Sequence, residues 1–348
     1  MLTPHPKIPA FSKISPFAGG SGFRMPAEWE PLDAVWVVPP HNAETWPGCF
    51  DEVKAQHAAW RKAMEPFVRV RTTDELGIQT DDSWIRDFGP IFVTREANGK
   101  KEIGAHDFFF NAWGGKYEGE RSFDNTVPQE IALREGFALK VHDFVLEGGS
   151  IEVNGSGTLL TTKQCLYSSS RNPWLTPAQI EAYLHEALGT RNTVWLPGGI
   201  SGDDTDGHID DIARFVAQDR IVCVSAPEGH DDHAVTTANL KALREARDEN
   251  GQKFEVIELP FPEPLLYDFP VDDHYRGGGI QPVPASYANF IFANGAMFVP
   301  VFGQAKDDLA CRILERAAPG VKIVPVRAEF LVVGLGALHC LSMQQPKG

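Results

Sequence analysis

Apolar and polar positions follow one recurring order along the chain. Runs of β-branched and aromatic residues predict strand pairs at residues 84–93, 150–162, 211–225 and 289–302. The last three pairs contain turn residues, namely Asn154-Gly155, Gln218-Asp219 and Asn294-Gly295. Helices are predicted at residues 51–65, 127–137, 176–188, 232–248 and 306–317. A short β-rich segment follows each helix, at residues 68–72, 139–144, 193–197, 254–259 and 322–326.

The order of hairpin, helix and strand therefore recurs five times, and residues 35–40 open the first copy. A supersecondary unit repeated at a period of roughly 60 residues indicates copies that stack on one another and close into a ring. Since no segment rich in Ser, Gly or Pro divides the copies, the sequence predicts one α/β domain over residues 25–348. Residues 1–24 are predicted to be an irregular extension.

The residues able to do chemistry share one phase of this repeat, at or just before each hairpin. They are Asp87, Glu147, His208 with Asp210, and Asn289, while Cys340 follows the last predicted strand and would close the ring. Each has an ordinary structural explanation taken singly: a buried Cys is usually a small hydrophobic residue, and Asp87 could pair with Arg86. Those explanations do not account for the shared phase, which favours a common site.

Composition narrows the function classes. Hydrophobic residues make up 43% of the chain, enough for a core, and a formal charge of -15 argues against a nucleic-acid partner. No apolar segment is long enough for a membrane span, and the N-terminus lacks the apolar run of a signal peptide. The five widely spaced cysteines lack a C-x-x-C pair, which is typical of reduced thiols. The expected compartment is the cytoplasm, and the sequence leaves open whether copies of the chain form a homo-oligomer.

The stretch T-D-G-H-I-D-D at 205–211 raises the question of a metal. It fails as an EF-hand, because with Gly207 at the sixth position the twelfth residue is Ala213 and not glutamate. The spacing Asp206-x-His208-x-Asp210 resembles half of a binuclear manganese site of arginase-like ureohydrolases, but residues 268–274 do not supply the other half. A site without metal or cofactor is therefore favoured. On an extended segment, His208 and Asp210 would point the same way and could face one ligand directly.

A guanidinium group fits a site that offers a thiol, a histidine and two separate aspartates. It is a planar cation whose N–H groups two carboxylates can bind from different sides. Its central carbon is a poor electrophile, so a strong nucleophile such as a thiolate is needed. A histidine can then protonate the departing ammonia and deprotonate the attacking water.

Seven ordered motifs resemble the agmatine deiminases, which belong with the bacterial-type peptidyl-arginine deiminases among guanidine-modifying enzymes. The motifs are M-P-A-E-W-E-P (25–31), W-I-R-D-F-G-P (84–90), F-N-A-W-G-G (110–115), L-E-G-G-S (146–150), T-D-G-H-I-D-D (205–211), S-Y-A-N-F (286–290) and L-H-C-L-S-M-Q-Q-P (338–346). The resemblance implies a five-bladed α/β propeller, the pentein fold. It also implies that Cys340 is the nucleophile, that His208 is the general acid and base, and that Glu147 orients His208.

The resemblance further implies how substrate is bound. Asp87 and Asp210 would hold the guanidinium, Trp84 would pack over its plane, and Asn289 would line the pocket. Trp113 stands, with Ala112, where the peptidyl-arginine branch carries arginines that bind a carboxylate. This favours a substrate without a carboxylate, which is agmatine in preference to arginine.

The tail departs from the family pattern just before the nucleophile. Leu335 replaces a glycine and Ala337 an asparagine. The expected activity is hydrolysis of agmatine to N-carbamoylputrescine and ammonia through a covalent adduct on Cys340. The same chemistry on another guanidine, such as peptidyl-arginine, is the first alternative. A metal-dependent ureohydrolase and a non-catalytic guanidine-binding protein are the others.

Overall fold

Five three-stranded sheets of identical construction form the framework of the protein. The computed structural model describes residues 5–17, 22–117, 122–271 and 278–348. In each sheet the central strand is antiparallel to the strand on one side and parallel to the strand on the other. A helix connects the two parallel strands, as in a βαβ crossover. The fold is therefore mixed α/β, as the sequence predicts.

The five units have the following bounds. Unit 1 contains strands Ser342–Pro346, Leu32–Val37 and Arg69–Thr72 with helix Phe50–Met64. Unit 2 contains strands Ile91–Ala97, Lys100–Phe109 and Ala138–Val145 with helix Val127–Glu135. Unit 3 contains strands Glu152–Val153, Thr158–Thr162 and Asn192–Leu196 with helix Pro177–Leu188. Unit 4 contains strands Ala213–Ala217, Arg220–Ser225 and Glu255–Pro260 with helix His233–Glu245. Unit 5 contains strands Ile291–Ala293, Ala296–Val301 and Lys322–Arg327 with helix Asp307–Ala317.

Shorter elements lie between these units. Single helical turns occur at Ile85–Phe88, Ala112–Gly115 and Lys163–Leu166. Short 3-10 segments occur at Phe11–Lys13, Asp74–Leu76, Asp124–Thr126, Gly148–Ser150, Ile209–Asp211 and Leu331–Gly334. A separate two-stranded hairpin joins Leu266–Phe269 to Gly279–Pro282, and the sequence did not predict it. Among the described residues, none of the helices has the length and apolar character needed to span a membrane.

Local sequence explains why the helices begin and end where they do. The helix of unit 3 starts after Thr176, whose side chain accepts a hydrogen bond from the Gln179 amide, while Gln179 reaches back to Thr176. Pro177 occupies the first helical position, where its missing N–H costs nothing. Gly189 ends the helix with φ 67°, a conformation that glycine adopts without strain.

The helix of unit 1 shows how the units bury their cores. Its inward face carries Val53, His57, Trp60 and Met64, at the spacing of one helical stripe. Trp60 is fully buried, and burying a large apolar side chain contributes roughly 1.5–3 kcal/mol. The apolar stripes therefore fix the helices against their sheets.

The predicted strand pair at 84–93 is wrong. Residues Ile85–Phe88 form a helical turn, and the hairpin of unit 2 begins only at Ile91, turning at Asn98-Gly99. Asn98 and Gly99 both have positive φ, as a tight hairpin turn requires. The apolar run misled the prediction because Gly89-Pro90 separates the helical turn from the strand.

Two further predictions about the polar segments need correction. Cys340 does not follow the last strand, since Ser342–Pro346 comes after it and pairs with Leu32–Val37. Two strands from opposite ends of the chain thus build the antiparallel pair of unit 1, and Cys340 precedes that pair as the other candidate residues precede the hairpins of their units. The segment around His208 and Asp210 is not extended, because Ile209–Asp211 is a 3-10 turn. Residues 1–4 and 18–21 of the predicted extension, and 272–274 of the stretch tested as a metal segment, lie outside the described residues.

Candidate active site

The candidate residues lie on the short segments that enter the five hairpins. Asp87 is in the turn Ile85–Phe88, and Glu147 precedes Gly148–Ser150. His208 precedes the turn Ile209–Asp211, and Asp210 lies within it. Asn289 and Cys340 stand just before strands Ile291–Ala293 and Ser342–Pro346. All of them are buried, and Cys340 retains 7% exposure. Sequence reasoning therefore identified the correct phase of the repeat.

Gly149 marks the point where three units converge. A Cβ atom placed on it would lie 2.5 Å from His208 Nδ1, 2.9 Å from Asp87 Oδ1 and 3.1 Å from Asp210 Oδ2. These three side chains therefore crowd one backbone position, which only a glycine can occupy. The second glycine of L-E-G-G-S is explained by this contact.

Asn289 holds the segment that carries Cys340. Its Oδ1 accepts hydrogen bonds from the amides of His339, at 2.9 Å, and Cys340, at 3.4 Å. Its Nδ2 donates to Cys340 Sγ at 3.0 Å and to Asp211 Oδ1 at 2.9 Å. A donor aimed at sulfur stabilises the thiolate form, and the two amide contacts fix where the thiol points.

Trp113 and Gly149 orient the Asp87 carboxylate. Trp113 Nε1 donates to Asp87 Oδ2 at 2.8 Å, and the Gly149 amide donates to Asp87 Oδ1 at 3.0 Å. Trp113 sits in a left-handed turn, with φ 54° there and φ 55° at Ala112. Asn111 stabilises this turn by accepting from the Gly114 amide at 2.9 Å. Backbone strain of this kind is characteristic of functional sites.

Asp210 is bound by a histidine that sequence reasoning did not select. His339 Nδ1 lies 2.7 Å from Asp210 Oδ2, and His339 Nε2 lies 2.8 Å from Glu28 Oε2. Asp210 Oδ2 is also 3.6 Å from Cys340 Sγ. Glu28 and His339 stand inside the motifs M-P-A-E-W-E-P and L-H-C-L-S, so the signal for them was present in the sequence.

His208 faces Asp87, Glu147 and a second cysteine. Its Nδ1 lies 3.6 Å from Asp87 Oδ1. Potential ligand atoms of His208, Glu147 and Cys165 all lie within 4.8 Å of one another. The turn Lys163–Leu166 places Cys165 there, because Thr162 accepts from the Cys165 amide and donates to the Gly207 carbonyl, at 3.1 Å and 2.7 Å. Cys165 is thus a site residue that the sequence did not reveal.

A buried arginine fixes Glu147. Arg171 Nε lies 3.0 Å from Glu147 Oε1, and both side chains are fully buried. Arg171 also binds the carboxylate of Asp206 and donates to the Thr205 carbonyl at 2.8 Å. The arginine therefore ties Glu147 to the backbone segment that leads into His208.

The electrostatic environment separates the roles of the titratable groups. Burial raises the pKa of Asp87 to about 6, against the opposing effect of His208. Burial alone would lower the pKa of His208, but Asp87, Cys165 and Glu147 outweigh it and raise this pKa well above the ordinary value. Burial, with the nearby carboxylates of Asp210 and Asp211, raises the pKa of the Cys340 thiol well above its usual range. The resting site therefore favours a neutral thiol and a protonated His208.

A narrow pocket of about 60 Å³ reaches Cys340 from the surface. At its inner end lie Trp84, Asp87, Trp113 and Cys340. Trp84 packs against Trp46, with ring centroids 5.4 Å apart. The lining also includes the exposed Glu44 and the partly exposed Asp204 at the outer end, and the buried Asp82, so the pocket carries negative charge. Such a pocket attracts an elongated cation.

The donor atoms do not match the predicted alternative of a manganese site at Asp206, His208 and Asp210. Asp206 binds Lys116 and Arg171, and Asp210 binds His339. In the described part of the chain two groups have ligand atoms close enough for a metal: Glu147 with Cys165 and His208, and Asp210 with Asp211 and Cys340. Arg171 already binds a carboxylate oxygen of the first group, and His339 lies against a carboxylate oxygen of the second.

Comparison with known proteins gives a consistent result. The family described as Porphyromonas-type peptidyl-arginine deiminase matches residues 24–346. Agmatine deiminase of Pseudomonas aeruginosa (strain LESB58) is 36% identical over 357 residues, covering 93% of this chain and 96% of that protein. Agmatine deiminase of Medicago truncatula is 36% identical over 366 residues, with the same two coverages of 93% and 96%. The structure of Enterococcus faecalis agmatine deiminase superposes with a TM-score of 0.87 at 31% identity, covering 96% of this chain and 99% of that one.

Proposed function

Because this chain belongs to the Porphyromonas-type peptidyl-arginine deiminase family, we propose that it is an agmatine deiminase, which hydrolyses agmatine to N-carbamoylputrescine and ammonia. The observation that carries the proposal is the convergence of a thiol, a histidine and two aspartates from three units, and two of these groups, Cys340 and Asp87, line one acidic pocket. We further propose that residues 25–348 form one domain in which the five sheets are the blades of a propeller. The five free cysteines support a reducing compartment such as the cytoplasm.

Binding of the cationic substrate prepares the nucleophile. The guanidinium lies between the carboxylates of Asp87 and Asp210 with Trp84 against its plane. The arrival of this cation, beside a protonated His208, lowers the pKa of the Cys340 thiol by offsetting the surrounding carboxylates. The thiolate therefore forms only when substrate is bound, which protects an otherwise reactive cysteine.

The reaction proceeds in two displacements. Cys340 Sγ forms a bond to the guanidinium carbon, and the C–N bond to one terminal nitrogen breaks. His208 protonates the departing nitrogen, which leaves as ammonia, and an amidino-thioether remains on Cys340. Water then adds to the same carbon and gives a proton to His208, the C–S bond breaks, and the carbamoyl product departs. Glu147, held by Arg171, keeps His208 oriented and favours its charged form.

The outer pocket supports agmatine over arginine. Asp204 and Glu44 are carboxylates at that end, and they complement an ammonium group and repel a carboxylate. The indole of Trp113 occupies the neighbouring wall and is engaged with Asp87. A substrate with a cationic amine at each end matches this distribution of charge.

A panel of guanidines tests the proposal directly. Purified protein is incubated with agmatine, arginine and a peptide containing arginine, and both ammonia and urea are measured. We expect ammonia from agmatine, with much lower kcat/KM for arginine and the peptide. Release of urea would point to a ureohydrolase, preferential turnover of the peptide would point to the peptidyl-arginine alternative, and binding without turnover would point to a non-catalytic protein.

A further inference from the structure

We propose that His339 is a positioning residue that fixes Asp210 in the ionised and oriented form needed to receive the guanidinium group. The inference rests on the proposed function for its substrate, but the arrangement of His339 itself stands on geometry alone. It gives a role to Glu28 and His339, which stand in the motifs M-P-A-E-W-E-P and L-H-C-L-S and take no part in the two displacements.

His339 lies between two carboxylates. Its Nδ1 is 2.7 Å from Asp210 Oδ2 and its Nε2 is 2.8 Å from Glu28 Oε2. The three side chains are between 0% and 4% exposed. A neutral imidazole has one donor nitrogen and one acceptor nitrogen, so it can donate to only one of two carboxylates. Two ionised partners at these distances require an imidazolium that donates to both.

Buried arginines keep the far carboxylate ionised. Glu28 Oε1 lies 3.0 Å from Arg214, and Glu28 Oε2 lies 3.6 Å from Arg86. Burial would raise the pKa of Glu28, but Arg214, His339 and Arg86 outweigh it and hold this pKa below the ordinary range. Arg214 is shared with Glu152, at 3.0 Å. Arg214 and Arg86 thus hold Glu28 as an anion, and Glu28 in turn holds the imidazolium in place.

The consequence at the site concerns the two oxygens of Asp210. His339 occupies Oδ2, whereas Oδ1 has no hydrogen-bond partner among the described residues. The oxygen left without a partner is the one available to a guanidinium N–H. His339 also opposes the burial that would protonate Asp210, and its hydrogen bond lowers the pKa of that carboxyl. Asp210 Oδ2 also accepts from the Cys340 thiol at 3.6 Å, and without His339 that thiol would be its remaining hydrogen-bond partner among the described residues.

Other charged groups lie near His339, Glu28 and Asp210, and they affect how the charges of these three residues depend on pH. Behind it lie Arg86, Arg214 and Glu152, and on the substrate side lie His208, Asp211 and Cys340. Asp87 and Glu147 belong to the neighbouring units and act mainly on His208. The acidic side of the pH profile therefore reports the carboxylates of Asp210 and Asp87. His339→Gln acts on Asp210 directly, and on Asp87 only through the charge of Asp210.

The test compares His339→Gln and Glu28→Gln with a matched control, Glu30→Gln. Glu30 is in the same motif, but it pairs with Arg24 and is partly exposed. For His339→Gln we expect KM for agmatine to rise at least about tenfold, with a smaller effect on kcat, because a charge-assisted contact that orients Asp210 is lost. The acidic limb of kcat/KM should move to higher pH, since Asp210 loses the cation that keeps it ionised. Glu28→Gln should shift both quantities in the same direction by less, and Glu30→Gln should change neither.

A spectroscopic measurement separates this inference from the proposed function. Nitrogen NMR of histidine-labelled wild type, with His339→Gln used to assign the resonance, should show both His339 nitrogens protonated near neutral pH in the absence of substrate. A neutral His339, or a His339→Gln variant with unchanged KM and acidic limb, overturns the inference. If wild type releases no ammonia from any guanidine, the proposed function fails while the NMR result still decides the charge of His339. If His339→Gln does not fold, Glu28→Gln and the NMR measurement carry the test. The His339 resonance is then assigned by replacing the other histidines one at a time.

Discussion

Replacing Asp87 by asparagine should stabilise the unliganded protein while it impairs catalysis. The pKa of Asp87 is raised from 3.8 to about 6, chiefly by burial, so the ionised carboxylate opposes folding. A pKa difference of about 2 corresponds to about 3 kcal/mol at neutral pH. Asparagine keeps the acceptor for Trp113 Nε1 but presents an NH₂ group to the Gly149 amide, and that mismatch costs about 1 kcal/mol. The variant should therefore gain about 2 kcal/mol in free energy of unfolding.

The sign of the pH dependence follows from the same pKa values. Between about pH 4 and about pH 6 the folded protein holds a proton on Asp87 that the unfolded chain has lost, so wild type loses stability as the pH rises through this window. The penalty is complete above about pH 6 and falls to about half at pH 5. The advantage of Asp87→Asn over wild type should accordingly be largest near neutral pH and shrink in acid.

Urea unfolding at two pH values and ammonia release give the required measurements. We expect Asp87→Asn to be more stable than wild type near neutral pH, with kcat/KM for agmatine reduced at least about tenfold through loss of one charged contact. Asp33→Asn is a suitable control, because Asp33 is exposed and accepts a hydrogen bond from Gln345. A variant that is less stable than wild type near neutral pH, or that turns over agmatine normally, would refute the reasoning.

Three other changes test different parts of the site. Cys340→Ser should bind agmatine without turnover, and intact mass of wild type quenched during turnover should show an amidino adduct; an adduct mapped to another cysteine contradicts the mechanism. Cys165→Ala should lower the pKa of His208, because Cys165 helps to raise that pKa against the effect of burial. The alkaline limb of kcat/KM should therefore move to lower pH. An unmoved limb would mean that Cys165 is only a packing residue. Leu335→Gly should remove a strain of about 1 kcal/mol, because Leu335 has φ 73°, and it should open the pocket. The ratio of kcat/KM for arginine to that for agmatine should then rise, and an unchanged ratio would show that Leu335 does not control access.

The repeat and the positions of the main candidate residues could be read from the sequence. Hydrophobic periodicity is a local property, so the crossover helices and the strands that follow them were predicted within a few residues. Turn chemistry is also local, which is why Asn294-Gly295 was correctly placed as a hairpin turn. The polar residues were identified because they recur at one phase of this local pattern.

Long-range partners were decided only by the tertiary structure. The antiparallel pairing of Leu32–Val37 with Ser342–Pro346 brings together strands from opposite ends of the chain, and nothing in either segment alone specifies the other. The same holds for the contacts of His339 with Asp210 and Glu28, which are separated by 129 and 311 positions. A histidine acquires its charge from whichever carboxylates the fold places against it, and that placement is set by the packing of several units. The residue types were therefore visible in the sequence, whereas their protonation and orientation depend on neighbours that only folding brings together.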